Sequence, residues 1–190
     1  MFHKQPLGFS SGFNKNGKWV WDKASWTKCS CGLHHSNRFI PRVFWEQDWV
    51  ITKQLNRKKA GIILIRDFHE IWITQSYHKC YGFPKGEKEE NETIEQCAKR
   101  EFLEETGTNI YNISLDDKYV INTYIEDVEY VFYIIHVNKH FDLVTVPIDD
   151  VEITSFGWIS ITRLKTLILS KAMKNILPKL LRHLHKIKEN

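Results

Sequence analysis

The segment Gly82-Phe83-Pro84-Lys85-Gly86-Glu87-Lys88-Glu89-Glu90-Asn91-Glu92-Thr93-Ile94-Glu95-Gln96-Cys97-Ala98-Lys99-Arg100-Glu101-Phe102-Leu103-Glu104-Glu105-Thr106-Gly107 decides how this chain folds. It opens as a loop punctuated by Gly and Pro. It continues as a helix over 92–106, with Asn91 as N-cap and Gly107 as the stop. Glu101, Glu104 and Glu105 are related by i, i+3 and i+4 and share a face. Ile94 and Ala98 fall on the same stripe as Glu101 and Glu105. The carboxylates thus interrupt the apolar side of the helix, where a solvated acidic helix would not put them. Like charges that close repel and raise one another's pKa. A hard divalent cation relieves the repulsion and prefers oxygen ligands. These residues alone predict a metal site.

On the N-terminal side, Gly61-Ile62-Ile63-Leu64-Ile65 is a β-branched run expected to form a buried strand, with Ile71–Gln75 as its hairpin partner. On the C-terminal side, Tyr119–Ile125 and Glu129–Val137 read as two strands around an acidic turn at Asp127. Thr154–Ile159 reads as another strand, and Ser160 as the cap of a helix over 162–170. A final helix carries Ile176, Leu177, Leu180, Leu181, Leu184 and Ile187 on one stripe. Residues 1–37 read as irregular apart from a short strand or turn. Hairpins mixed with helices place the fold in the α/β (α+β) class. The expected organisation is a basic, aromatic-rich extension over 1–57, a central domain over 58–170 and a basic amphipathic helix over 171–190.

With 190 residues and 42% hydrophobic content, the chain can bury a sizeable core. No apolar run has the length of a membrane span, and the start lacks the apolar region of a signal peptide. The expectation is a cytoplasmic protein without a membrane partner. Its four cysteines, Cys29, Cys31, Cys80 and Cys97, are then expected to be free thiols. Residues 1–60 hold 11 Lys/Arg against 3 Asp/Glu, residues 61–158 hold 8 against 19, and residues 159–190 hold 8 against 1. An acidic centre therefore stands between two basic ends. Acidic centres take cations and basic ends take polyanions.

Gly86, Glu92, Arg100-Glu101, Glu104-Glu105 and Gly107 stand at the spacing of the Nudix box, and the segment resembles that family. Thr108 departs from the pattern, standing where the family has an aliphatic residue. The resemblance implies a Nudix-type mixed β-sheet sandwiched between helices. It implies a pyrophosphohydrolase using Mg²⁺ or Mn²⁺, held by Glu101, Glu104, Glu105 and the Gly86 carbonyl. Glu92, Arg100 and Gly107 would be structural. Within the family, Gly82-Phe83-Pro84-Lys85-Gly86 and Gln75 resemble the mRNA-decapping branch, on the scale of the compact viral enzymes. That likeness implies Lys85 near a substrate phosphate and Glu152 as general base, with Glu104 assisting and Asp149 or Asp150 as alternatives to Glu152. It implies capped RNA as substrate and a methylated guanosine diphosphate as product. Lys171, Lys174, Lys179, Arg182 and Lys186 would bind the RNA body, phosphate by phosphate. Small substrates (diadenosine polyphosphates, diphosphoinositol polyphosphates, nucleotides) are the alternative. An inactive RNA-binding module is a further one, against which the intact glutamates stand.

Two other features invite a functional reading. Trp19, Trp21, Trp26, Phe44, Trp45 and Trp49 could stack on a cationic methylated base, although core or lid packing is the commoner use of Trp. Cys29, Cys31, His34 and His35 are zinc-type residues at a poor linear spacing. The expectation there is ordinary buried thiols and surface histidines.

Overall fold

The computed structural model describes residues 11–13, 19–21, 26–36, 57–76, 79–115, 119–141 and 153–188, with the first two segments and Lys188 as backbone only. The strands are β1 (Ser11–Phe13), β2 (Trp19–Trp21), β3 (Trp26–Lys28), β4 (His34–Ser36), β5 (Lys58–Arg66), β6 (Glu70–Ser76), β7 (Tyr81–Gly82), β8 (Lys85–Glu87), β9 (Val120–Ile125), β10 (Val128–Val137) and β11 (Ile153–Ser160). The helices are α1 (Ile94–Thr106) and α2 (Lys171–Lys188), with a 3₁₀ turn at Ile161–Thr166.

β1 and β2 form a separate two-stranded sheet. The others form a nine-stranded sheet in the order β3-β4-β11-β6-β5-β10-β9, with β7 on β6 and β8 on β5. β5 and β10 run parallel, while the other pairs are antiparallel, so the sheet is mixed.

The continuous apolar run in β5 follows from burial on both faces. Side chains alternate along a strand. Ile62 and Leu64 pack with Ala98 and Phe102 of α1 on one face. Ile63 and Ile65 pack with Met173, Ile176, Leu180 and Leu184 of α2 on the other. The sandwich expected from sequence is thus present. Leu181, placed on the same stripe, is instead 41% exposed.

Several local expectations are corrected. The loop of 82–86 forms two short strands, because its backbone pairs with β5 and β6. The N-cap of α1 is Thr93, not Asn91. Its hydroxyl accepts from the Gln96 amide at 3.1 Å, and Gln96 returns a bond to the Thr93 amide at 2.7 Å. This reciprocal box outcompetes a cap two residues earlier. Ser160 makes no side-chain cap bond, and a six-residue 3₁₀ turn replaces the expected helix over 162–170. The acidic hairpin turn holds Glu126 and Asp127 at φ 50° and 65°, as a two-residue hairpin loop requires. Gly107 ends α1 at φ 71°, donating its amide to the Leu103 carbonyl at 2.7 Å.

Candidate active site

The site follows from a splay in the sheet. β5 and β6 pair only beside their turn, at Ile65–Ile71 and Arg66–Glu70. Beyond that they part, and β7 and β8 fill the gap. A cleft of about 310 Å³ opens there, lined among others by Thr74, Lys85, Gly86, Glu101, Glu104 and Glu105. Loop and helix residues 15–20 positions apart in sequence therefore meet on one wall.

Glu105 is anchored at the floor. Thr74 donates its hydroxyl to one carboxylate oxygen at 3.0 Å, and the Lys85 amide approaches the other at 3.4 Å. Burial pushes the Glu105 carboxyl up to about 7, against the nearby Lys85 charge. Burial also raises Glu101, and the Glu104 charge adds to the rise, while Arg100 opposes both. A Cβ on Gly86 would overlap the Glu101 carboxylate, so only glycine lets that carboxylate lie against the loop backbone. The Cys97 thiol donates to the Gly86 carbonyl at 3.8 Å, and burial keeps that thiol protonated, pushing it up to about 12.

Arg100 organises the second wall. It binds Glu92 through two nitrogens, Glu101 at 2.7 Å, Glu104 at 3.1 Å and the Glu87 carbonyl at 3.0 Å. The hydrogen bonds from Arg100 hold the Glu92 carboxyl down at about 2. Glu92 also accepts the Glu89 amide at 2.8 Å, tying the loop to the helix. Arg57 forms a further bidentate pair with Glu87 at the entry to β5.

Two contributors were not read from the sequence. Thr74 reaches the site only because β6 lies across from α1. Lys59 lines the cleft, and burial lowers its pKa. The alternation of β5, extended two residues before Gly61, would have pointed to Lys59. Thr108 is half-exposed, and the buried apolar residue beyond the helix is Ile110.

Glu152, Asp149 and Asp150 lie outside the described residues, whereas Ile153 lines the cleft. Phe44, Trp45 and Trp49 and the side chains of Trp19 and Trp21 also lie outside them. Trp26 packs edge-on against Phe156 at 4.9 Å, which is core packing. Lys171, Lys174, Lys179, Arg182 and Lys186 are exposed on α2, away from its buried Met173–Leu184 stripe. Lys171 pairs with Glu126, and Lys179 donates to the Asn122 carbonyl. None of the four cysteines is in a disulfide. The β3–β4 turn brings Cys29, Cys31 and His35 together, a grouping their linear spacing does not suggest. His34 instead stacks on Phe156 at 5.0 Å. Among the described residues, no helix is long and apolar enough to cross a membrane.

The chain belongs to the NUDIX domain family, whose model matches residues 55–183. It is a Nudix pyrophosphohydrolase of the general kind. It is 26% identical over 159 residues to the protein named "Putative hydrolase 111R" of Invertebrate iridescent virus 3, covering 80% of this chain and 85% of the relative. Its fold is similar to that of a Caenorhabditis elegans Ap4A hydrolase, at 17% identity and TM-score 0.54, covering 68% of this chain and 98% of that one. It is also similar to a MutT structure from a study of Aliivibrio salmonicida and Vibrio cholerae, at 21% identity and TM-score 0.51, covering 66% and 96%. Nudix hydrolases generally use divalent metal ions. The donor set here fits one: half-buried carboxylates lining a cleft, a carbonyl held beside them and no room for a Cβ between.

Proposed function

We propose that this chain is a cytoplasmic mRNA-decapping Nudix hydrolase that releases a methylated guanosine diphosphate from capped RNA. The observation that carries the reading is the join between cleft and basic helix. Ser170 lines the cleft and caps α2, its hydroxyl accepting the Met173 amide at 3.2 Å. The exposed Lys171, Lys174, Lys179, Arg182 and Lys186 run along one side of that helix from this point. A long polyanion with its 5′ end in the cleft has a track of cations leading out of it.

Glu101, Glu104, Glu105 and the Gly86 carbonyl are the residues that would hold Mg²⁺ or Mn²⁺. When bound, such ions neutralise diphosphate oxygens and make water a better nucleophile. The chain's own groups do the rest. Lys85 and Lys59 attract the substrate phosphates into the cleft. Thr74 and Arg100 fix the directions of Glu105 and Glu101. Glu152 takes the proton of the attacking water, its neighbour Ile153 being in the cleft wall. Glu104, bonded to Arg100 on one side only, is next in line for that proton. Glu92, Arg100 and Gly107 hold loop and helix in register.

The test compares cap-labelled RNA, free cap analogue and diadenosine tetraphosphate as substrates, with Mn²⁺ and with chelator. Metal-dependent release of labelled methylated guanosine diphosphate from long RNA is expected. A triple change of Lys174, Arg182 and Lys186 to Glu should lower cleavage of RNA while sparing small substrates. Turnover of small molecules alone overturns the decapping reading, and RNA binding without turnover favours a binding module.

A further inference from the structure

The edge of the sheet opposite β9 carries a second group of ligating side chains, none of which lines the catalytic cleft. The β3–β4 turn is closed by the Cys29 amide on the Leu33 carbonyl at 2.8 Å and the Gly32 amide on the Cys29 carbonyl at 2.9 Å. Gly32 takes φ 92°, so the chain reverses within three residues. The reversal puts one ligand atom each of Cys29, Cys31 and His35 within 4.8 Å of the others. Cys31 Sγ stands 3.1 Å from His35 Nε2, and the Cys31 amide points at Cys29 Sγ at 3.4 Å. In a tetrahedral zinc site, the S–S and S–N separations are about 3.8 and 3.5 Å, from bond lengths of about 2.3 and 2.0–2.1 Å. Small side-chain rotations bridge the difference.

The setting is that of a built feature. Leu33, inside the turn, is buried in the core with Leu164 and Ile159. Arg163 donates to the Cys31 carbonyl at 3.0 Å. His35 pairs with Ser155 of β11. The donors are thiolate and imidazole, the soft and borderline ligands that select zinc over magnesium or manganese.

We propose that Cys29, Cys31 and His35 bind one zinc ion, with its fourth position filled from solvent. Binding displaces the two thiol protons to solvent, and the two thiolates balance the ion's charge. The ion ties the turn of the β3–β4 hairpin to His35 of β4, the strand that pairs with β11 at this edge of the sheet. The chain then holds two metals of opposite character, a hard one among carboxylates and a soft one among thiolates.

The test uses the full chain purified under reductant without chelator. Mass spectrometry of the metal content is expected to find one zinc per chain after gel filtration. Cobalt replacing it should show a thiolate-to-metal charge-transfer band. Cys31→Ser and His35→Ala should each lose retained zinc. Cys80→Ser and Glu105→Gln should keep both zinc and band, separating this site from the remaining thiols and from the catalytic carboxylates. Reduced wild-type chain with neither zinc nor band overturns the proposal, whatever the variants do. So does a band that persists in the Cys29→Ser/Cys31→Ser double variant, or a metal-free chain with Cys29 and Cys31 joined as a disulfide.

Discussion

The Arg100 guanidinium grips the Glu92 carboxylate twice, Nε at 3.0 Å and Nη2 at 2.8 Å, from eight residues further along the chain. Glu92 sits before α1 and Arg100 inside it, so the pair clamps the loop against the helix. The fork geometry of Arg suits this contact and Lys cannot reproduce it. Arg100→Ala should cost about 1–3 kcal/mol of stability, discounted for the partial exposure of the pair. It should lower activity as well, because Glu101 loses its partner. Arg100→Lys should recover little of either. Denaturant titration and turnover, read together, check this.

Glu105→Gln leaves an oxygen for the Lys85 amide and an NH2 that can donate to the Thr74 hydroxyl, but removes the charge. Turnover should fall by more than the roughly 10–100-fold typical of outer-shell partners, with the circular dichroism spectrum unchanged. Saturating Mg²⁺ or Mn²⁺ should raise the Tm of the wild type, because the ligand binds the folded state. That rise should shrink in the variant. Full turnover by Glu105→Gln would show that the metal site is misassigned.

Thr74→Val keeps the shape of β6 and deletes the hydroxyl on Glu105. Activity should drop about 10–100-fold, with stability altered by about 1 kcal/mol or less. An unchanged rate would mean Glu105 needs no such support.

Gly86→Ala pushes a methyl group into the space of the Glu101 carboxylate. The end of that side chain can swing away, so the chain should still fold. Metal affinity should fall, which isothermal titration would measure.

His136 on β10 and His183 on α2 meet at 3.3 Å between Nε2 atoms. Burial lowers the pKa of both. The charge of His183 adds to the lowering at His136, and that of Lys186 at His183. Neutral imidazoles are thus favoured in the folded state. Their contribution to stability is complete above the ordinary histidine pKa of 6.5 and is lost as pH falls below it. Tm should drop from pH 7.5 to 5.5, and replacing His183 with Gln should flatten that slope.

Much of this architecture can be read along the chain. The apolar run of β5, the Glu101–Glu105 face and the Gly107 stop are local signals, each fixed by a few neighbouring residues. The acidic turn at Asp127 is another. What escaped reading depends on partners distant in sequence. The 82–86 segment becomes strand because β5 and β6 offer it free edges. Thr74 becomes a site residue because α1 lies over it. Thr93 displaced Asn91 as cap because Gln96 could answer it, a competition between two acceptable residues. The Cys29–His35 cluster was obscured because linear spacing says little about a turn tightened by Gly32.

β8 bonds directly to β5, and α1 rests on that same strand. Gly86, Glu101 and Glu105 therefore hang from one beam, and a shift of β5 carries all three along without changing their spacing. The β3–β4 hairpin joins the sheet through β11, and the basic side chains of α2 lie on its exposed side, away from the stripe that packs on β5. Mutation can rework those outer parts, and with them the choice of substrate, while the chemistry travels intact.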